Sequence, residues 1–421
     1  MAKIMVVCPF WGQIGHVGTF RVERLIKWLV DSGHEVVVIS SSHDDMVSEA
    51  WFGKLISVRD PLKIYPIAGS KSVGDDTRRK PNALRRWLAY FLLNPDLHIM
   101  WSRSVLKSVE VKKHAINCDF FLSSSPPESA FHAAATLADR YDGKFVMDMR
   151  DGWLDEPMKP LLRSLWIQKL REGRLEKKYV KMASHITLTS DNWKELLVKR
   201  YPQAKSKLTV IPNTYPDFAG EAPVSTNHQE RVPGGKASYT LVHAGRLSSS
   251  RPERNADFLL NEIIHHIDRH KDTFHINFIG DLEHHELNCL GFWKQKFHKN
   301  GSDLNHFGQV PRQDALKILS EADGLLMISN SYASIPAKYF DYSVSGKPIL
   351  CFTTKDSIIT DISEKQPQVH VIFDGHSDKN DIVINNFLKA VRNHDRFNSQ
   401  SLLSEFKEEV VKSNFLALFE A

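Results

Sequence analysis

The chain has 421 residues, with 55 basic against 50 acidic side chains, a net charge of +5 and 42% hydrophobic content. That length exceeds what one core ordinarily fills, so two domains are expected. The mild positive excess suits a small anionic ligand or an acidic membrane surface, and speaks against sequence-specific nucleic-acid binding. No apolar run is long enough to span a bilayer, and the first residues lack the basic, apolar and small-residue regions of a secretory signal. A cytoplasmic protein is therefore expected. Cys8, Cys118, Cys289 and Cys351 are scattered and form no CxxC pair, which points to buried free thiols.

The chain opens as strand, glycine loop, helix and strand. Val22, Leu25, Ile26, Leu29 and Val30 make a helical apolar stripe, Gly33 is a C-terminal stop, and Glu35 to Ile39 is a β-branched run of the kind a doubly covered parallel strand needs. Further strands are expected at Phe120–Leu122, Lys144–Met147, Ile186–Leu188 and Lys207–Ile211, with helices over Glu128–Tyr141 and Arg163–Met182 between them. Residues 213–237 are rich in Pro, Gly and polar side chains without periodicity and read as a linker. The alternation restarts at Tyr239–Gly245. Strands follow at His275–Ile279, Leu304–Phe307, Gly324–Ile328, Pro348–Phe352 and Val369–Phe373, with helices over Asn255–His270 and Gln313–Glu321. The fold class is α/β, with two Rossmann-like, doubly wound domains facing a central cleft: residues 1–212, then 238–395, then a helical segment over 396–421. In that segment Leu403, Phe406 and Val410 are expected on one face.

Three loops carry candidate chemistry. The first, Pro9 to Gly18, spaces its glycines GxxGxxG and is followed by Ser40-Ser41-Ser42 in place of the ribose-binding acid of NAD enzymes, which weakens a dehydrogenase reading. Gly15 would let the backbone approach a phosphate or sugar, with Arg21 adding charge, or would serve the turn alone. In the second loop, Gly245 to Arg251, Arg246 can donate two parallel hydrogen bonds to phosphate oxygens. The third runs from Ser329 into a helix that carries Asp341. Open N–H groups at its start can bind a pyrophosphate, and the Asp341 carboxylate can accept from ribose hydroxyls or sit on a solvated face.

Several of these stretches together resemble family 4 GT-B glycosyltransferases: Gly245-Arg246-Leu247, His306 to Pro311, Ala322-Asp323 and Ile335 to Ile349 in the second half. In the first half the matches are Gly18 to Arg21, Gly33 to Val36, Ser124 to Pro127, His132, Asp148 to Trp153 and Ile211 to Asn213. The resemblance implies retaining transfer from a nucleotide-diphosphate sugar in bacterial surface-polysaccharide or glycolipid synthesis. It implies that Arg246 neutralises the leaving diphosphate, that Arg251 stands near a partner cation, that Ser334, Ile335 and Lys338 lie on the donor and that Asp341 contacts ribose. The first acid of the family's paired glutamates is Ala333 here, so the sugar contacts stay open. No Asp-x-Asp triplet is present, which fits a site without cofactor or essential metal. Asp151 and His132 are candidates for orienting or deprotonating the acceptor hydroxyl of a carbohydrate or lipid-linked saccharide, or for local structural roles.

His266 and His270 are spaced i, i+4, but no HExxH pattern joins them, and a solvated helix face is the expectation. Residues 78–93 combine clustered Arg and Lys with Trp87, Tyr90 and Phe91, which suits either peripheral contact with anionic lipid or a core helix with a basic outer side. A nucleotide-sugar 2-epimerase and a non-catalytic partner subunit remain as alternative functions.

Overall fold

The computed structural model describes residues 1–11, 17–41, 51–61, 93–155, 166–216, 237–245, 247, 255–282, 284–393, 397 and 402–420. They divide into two compact units, Met1–Pro212 with Val411–Ala421, and Asn213–Val410.

In the first unit seven parallel strands, β1 (Lys3–Val7), β2 (Glu35–Ser41), β3 (Gly53–Val58), β4 (Phe120–Ser125), β5 (Lys144–Met149), β6 (His185–Leu188) and β7 (Leu208–Val210), lie in the order β3-β2-β1-β4-β5-β6-β7. Helix α1 (Val17–Asp31) buries Val22, Leu25, Ile26 and Leu29, as the stripe requires. Gly33 ends it at φ +82°, in the left-handed region that glycine enters without strain. Strand β3 was not expected. It is an edge strand whose Gly53, Lys54 and Ser57 are exposed, so no continuous β-branched run announces it. The helices here are α2 (Ile99–Lys107), α3 (Val109–Ala115), α4 (Ser129–Arg140), α5 (Trp166–Met182) and α6 (Asp191–Arg200). Ser190 caps α6, its hydroxyl accepting from the Trp193 N–H at 3.2 Å.

The second unit has six parallel strands, β8 (Ser238–Ala244), β9 (Thr273–Ile279), β10 (Asp303–His306), β11 (Gly324–Ile328), β12 (Ile349–Thr353) and β13 (Val369–Phe373), in the order β10-β9-β8-β11-β12-β13. Alternate residues of β8, β11 and β12 enter two different cores. Leu241, Leu326, Ile328, Leu350 and Phe352 join one, and Val242, Leu325, Met327, Ile349 and Cys351 join the other. The sheet is therefore covered on both faces, by α7 (Asn255–His270), α8 (His284–Lys299), α9 (Arg312–Glu321), α10 (Ala337–Val344), α11 (Ile358–Lys365) and α12 (Ser377–Arg392).

Counted from its own first strand, each sheet has the order 3-2-1-4-5-6, the first with one strand added. The direction of winding reverses between β1 and β4, and between β8 and β11. In such sheets the crevice for a ligand opens beyond the carboxyl ends of those strands.

The C-terminal stretch departs from expectation. It is not one helix but α13 (Glu408–Leu416) between two short 3-10 turns, Ser404–Phe406 and Ala417–Phe419. Lys407 is extended (φ −71°, ψ 136°) and resets the register. Phe406 consequently belongs to the second unit's core, while Val411, Phe415, Leu418 and Phe419 enter the first unit's core, and Val410 is exposed. Cys8, Cys118, Cys289 and Cys351 are free thiols. Among the described residues no helix is long and apolar enough to cross a membrane.

Candidate functional site

At the carboxyl edge of the second sheet, three successive loops turn on glycines with positive φ: Gly245 after β8 (+87°), Gly280 after β9 (+133°) and Gly308 after β10 (+70°). The Gly245 N–H donates to the Ile279 carbonyl at 2.7 Å and the Gly280 N–H to the Gly308 carbonyl at 2.8 Å. A Cβ on Gly280 would stand 3.0 Å from the Gly245 Cα. A side chain is thus excluded at Gly280, where main chain packs on main chain, and the His306 Nε2 lies 2.9 Å from the Gly280 carbonyl.

One cation enters from α10. The Lys338 Nζ lies 3.0 Å from His243 Nε2 and 3.6 Å from where a Cβ on Gly245 would sit. His243, on β8, is fully buried, and its Nδ1 is 3.0 Å from the Leu326 carbonyl of β11. A carbonyl only accepts, so Nδ1 carries the proton and Nε2 is left to accept from the ammonium. Desolvation pushes the Lys338 ammonium down to about 8. The pair straddles the point between β8 and β11 where the winding reverses.

The loop after β11 holds the remaining second-half candidates. Ser331 Oγ accepts from the Ser334 N–H at 2.8 Å and from the Ala333 N–H at 3.4 Å. Those two N–H groups, in the loop before the helix, are occupied by the loop itself. At the start of α10, Pro336 at the N-cap supplies no side-chain acceptor, and the Tyr339 N–H donates to the Pro336 carbonyl at 2.9 Å. Ser334 and Ile335 are half-buried in the turn leading to the helix. Asp341 is half-buried one turn into α10, beside Tyr342, whose hydroxyl accepts from the Ala244 N–H at 2.7 Å and so pins the helix to the end of β8. Ala333 is buried. Among the described residues nothing donates to the buried Asn330 Oδ1. Neither His243 nor Asn330 was singled out from sequence. A histidine inside an apolar strand run was the available signal for the first, and nothing distinguished the second from its polar neighbours.

The first sheet's edge is built differently. Arg21 does not face a ligand. It is buried and paired with Asp148, with Nε to Oδ2 at 3.1 Å and Nη2 to Oδ1 at 2.7 Å, and it also donates to the Ile211 carbonyl at 2.8 Å. Burial raises the Asp148 carboxyl, but Arg21 and the hydroxyls of Ser124 and Thr187, each at 2.6 Å, outweigh it and hold the group below its ordinary value. A charged lock of this kind explains why an arginine stands in the first turns of α1 without serving a phosphate. Arg150 donates to the carbonyls of Ser125 (3.0 Å) and Pro126 (2.6 Å), bracing the loop after β5 against the end of β4. Asp151 follows, half-buried, and Gly152 leaves room for the Trp193 ring, which a Cβ would meet at 2.1 Å. His132 lies four residues into α4, half-buried, and desolvation, with Lys178 and Arg103 nearby, lowers its pKa. Asp151 and His132 thus follow two paired strands, β5 and β4, at the same edge of the sheet. Gly15, Arg246 and Arg251 lie outside the described residues, as does 78–92.

The histidines on α7 correct another expectation. His266 is buried, not solvated, with Nδ1 2.9 Å from Asp381 Oδ1. His270 Nε2 is 3.0 Å from Asp381 Oδ2, and Arg269 is 3.6 Å from the same oxygen. The apolar face of α7 packs on α12 and carries His266 inward to a carboxylate that no local pattern could reveal. These three side chains have the spacing of a metal site among the described residues, yet their partners already form an ion-paired tie between two helices.

Residues 19–216 match the model of Glycosyltransferase Family 4, just under half of the chain. Comparison with curated protein sequences gives no match. Among solved structures, Anabaena HepE in complex with UDP is 14% identical, covering 100% of this chain and 99% of its own, with a TM-score of 0.61. Sucrose-phosphate synthase from Thermosynechococcus elongatus is 11% identical over 100% and 95%, with a TM-score of 0.59. WaaG, a glycosyltransferase involved in lipopolysaccharide biosynthesis, is 11% identical over 100% and 96%, at 0.51. The chain has the GT-B fold of these proteins, and its first half matches a glycosyltransferase family.

Proposed function

We propose that the protein is a glycosyltransferase that takes a sugar from a nucleotide-diphosphate donor, with retention, and passes it to a hydroxyl of a carbohydrate or lipid-linked saccharide. The observation that carries this reading is the Lys338–His243 pair beside the Gly245–Gly280–Gly308 junction, at the winding reversal of the second sheet. A leaving diphosphate gains negative charge as the glycosidic bond breaks. A cation already held in place, next to helix-start N–H groups and bare main chain, stabilises that charge without reorganising. Arg246, one residue beyond Gly245, would add a second cation, and Asp341 would meet the ribose. The family match of residues 19–216 and the UDP complex of the HepE structure support the assignment of donor class. No metal or cofactor enters the scheme. His132, kept neutral by desolvation, and Asp151 are the candidates for handling the acceptor proton.

A role in surface polysaccharide or glycolipid synthesis, on the cytoplasmic face of a membrane touched through residues 78–93, belongs to the same proposal. The test is incubation with a panel of nucleotide-sugars. Transfer or slow donor hydrolysis, weakened together with nucleotide binding in Arg246→Ala and Lys338→Ala, is expected. An isomerised donor would point to a 2-epimerase, and absence of nucleotide binding would sink the reading.

A further inference from the structure

Helix α5 (Trp166–Met182) is mounted inside out. A surface helix ordinarily turns its apolar side chains inward and its charges outward. Here the buried face carries Gln168, Glu172 and Glu176 beside Tyr179 and Val180. Each polar group has a waiting partner in the first unit. Gln168 Oε1 accepts from Asn94 at 3.2 Å, Glu172 from the Trp153 indole at 3.1 Å, and Glu176 from Arg200 at 3.1 Å and the Tyr201 hydroxyl at 2.9 Å. Tyr179 stacks on Trp153 with ring centroids 6.0 Å apart. These bonds fix the rotation of the helix, and the rotation decides what is left outside.

What is left outside is apolar at one end and cationic at the other. Trp166 is 73% exposed, Leu170 48% and Ile167 39%. Lys169, Arg174, Lys177, Lys178 and Lys181 are exposed as well, and both acids of the helix are on the buried face. Trp166, Leu170, Arg174, Lys177 and Lys181 follow at helical spacing along one stripe. Such a surface repels another basic protein surface and is poorly matched to plain water. It matches a layer with an apolar interior beneath a negatively charged rim.

We propose that the outer face of α5 docks the first unit on an anionic lipid bilayer, with Trp166, Ile167 and Leu170 entering the interfacial region and Lys177 and Lys181 lying against lipid phosphates. This extends the peripheral part of the proposed function and rests on that reading for its biological sense, but on residues separate from 78–93 and from the donor site. Lys and Arg would hold the helix by charge, the tryptophan by its amphipathic ring.

The test is co-sedimentation of the full chain with vesicles of phosphatidylcholine, with and without phosphatidylglycerol, over a range of salt. Binding is expected only when phosphatidylglycerol is present, weakening as salt rises. The double variant Trp166→Ser/Leu170→Ser should lose about tenfold or more in vesicle affinity, and Lys177→Glu/Lys181→Glu should abolish the preference for the anionic lipid. Both should melt and bind nucleotide as the parent chain does, because the altered side chains are exposed. Equal binding to both vesicle types, absence of binding, or parent-like binding by both variants would overturn the proposal. So would loss of binding confined to Arg85→Glu/Arg86→Glu/Trp87→Ser, or self-association of the parent chain in lipid-free solution that Trp166→Ser/Leu170→Ser disperses. Failure of nucleotide binding would count against the proposed reaction and leave the vesicle result to stand by itself.

Discussion

The two sheets share one winding order and differ in what stands at their carboxyl edges. At the first, polar side chains are spent on the protein: Arg21 on Asp148 and the Ile211 carbonyl, Ser124 and Thr187 on the same carboxylate, Arg150 on two carbonyls. At the second, three successive loops turn on glycines, a desolvated lysine sits beside the first of them, and among the described residues nothing donates to the Asn330 carboxamide oxygen after β11. The fold supplies a crevice in either case. Whether a crevice becomes a site depends on whether its polar groups are left for a ligand or consumed by neighbours.

The contrast can be broken most forcefully at Asp148. Asp148→Ala leaves the Arg21 guanidinium buried without its counter-ion and should cost about 3–5 kcal/mol of stability, read by denaturant unfolding. A loss below about 1 kcal/mol would mean that the lock is not structural. Lys338→Ala should do the reverse, removing a desolvated ammonium and so not lowering stability, while weakening nucleoside-diphosphate binding by about ten- to a hundredfold in calorimetry. Unchanged affinity would remove the lysine from the site.

The same lysine gives the contrast a pH axis. Its ammonium is lost near pH 8, so diphosphate affinity should fall as pH rises through that value. Folding stability should move the other way. Between about 8 and the ordinary 10.5 the unfolded chain binds the proton more tightly than the folded one, so stability climbs across that window. His243→Leu, which removes the acceptor that favours the charged form, should shift the binding midpoint to lower pH. A midpoint unmoved by that change would show that His243 does not hold the lysine. The smallest effects form a matched pair. Thr187→Val, taking one hydroxyl from Asp148, should cost about 1.5–3 kcal/mol, whereas Asn330→Ala should change stability by less than about 0.5 kcal/mol and still weaken donor binding.

Much of the scaffold was legible from sequence, because parallel strands covered on both faces must be nearly continuous apolar runs, as in Glu35–Ser41 and Gly324–Ile328. The edge strand Gly53–Val58 was not, since half of it faces water. Of the site, the loop-helix bearing Lys338 and Asp341 could be read as a candidate from local pattern and resemblance. The role of His243 could not, because it depends on Lys338 and Leu326, 95 and 83 positions away. Arg21 misled for the same reason. Beside a glycine loop it looks like a phosphate ligand, and its real partner is 127 positions distant.

The path of the chain has a consequence for synthesis. The first unit's core includes Phe415 and Phe419, whose rings lie 5.9 Å from Trp28 and 5.0 Å from Phe120. The whole second unit is inserted between Pro212 and Val411. A nascent chain leaving the ribosome therefore carries every strand of the first sheet long before the aromatic side chains that cover it are translated, and domains otherwise tend to fold in the order they are made. The inserted unit can complete itself during elongation. The unit that is begun first can be closed only after the whole of the second has been made, because the stretch that caps its core follows Val410.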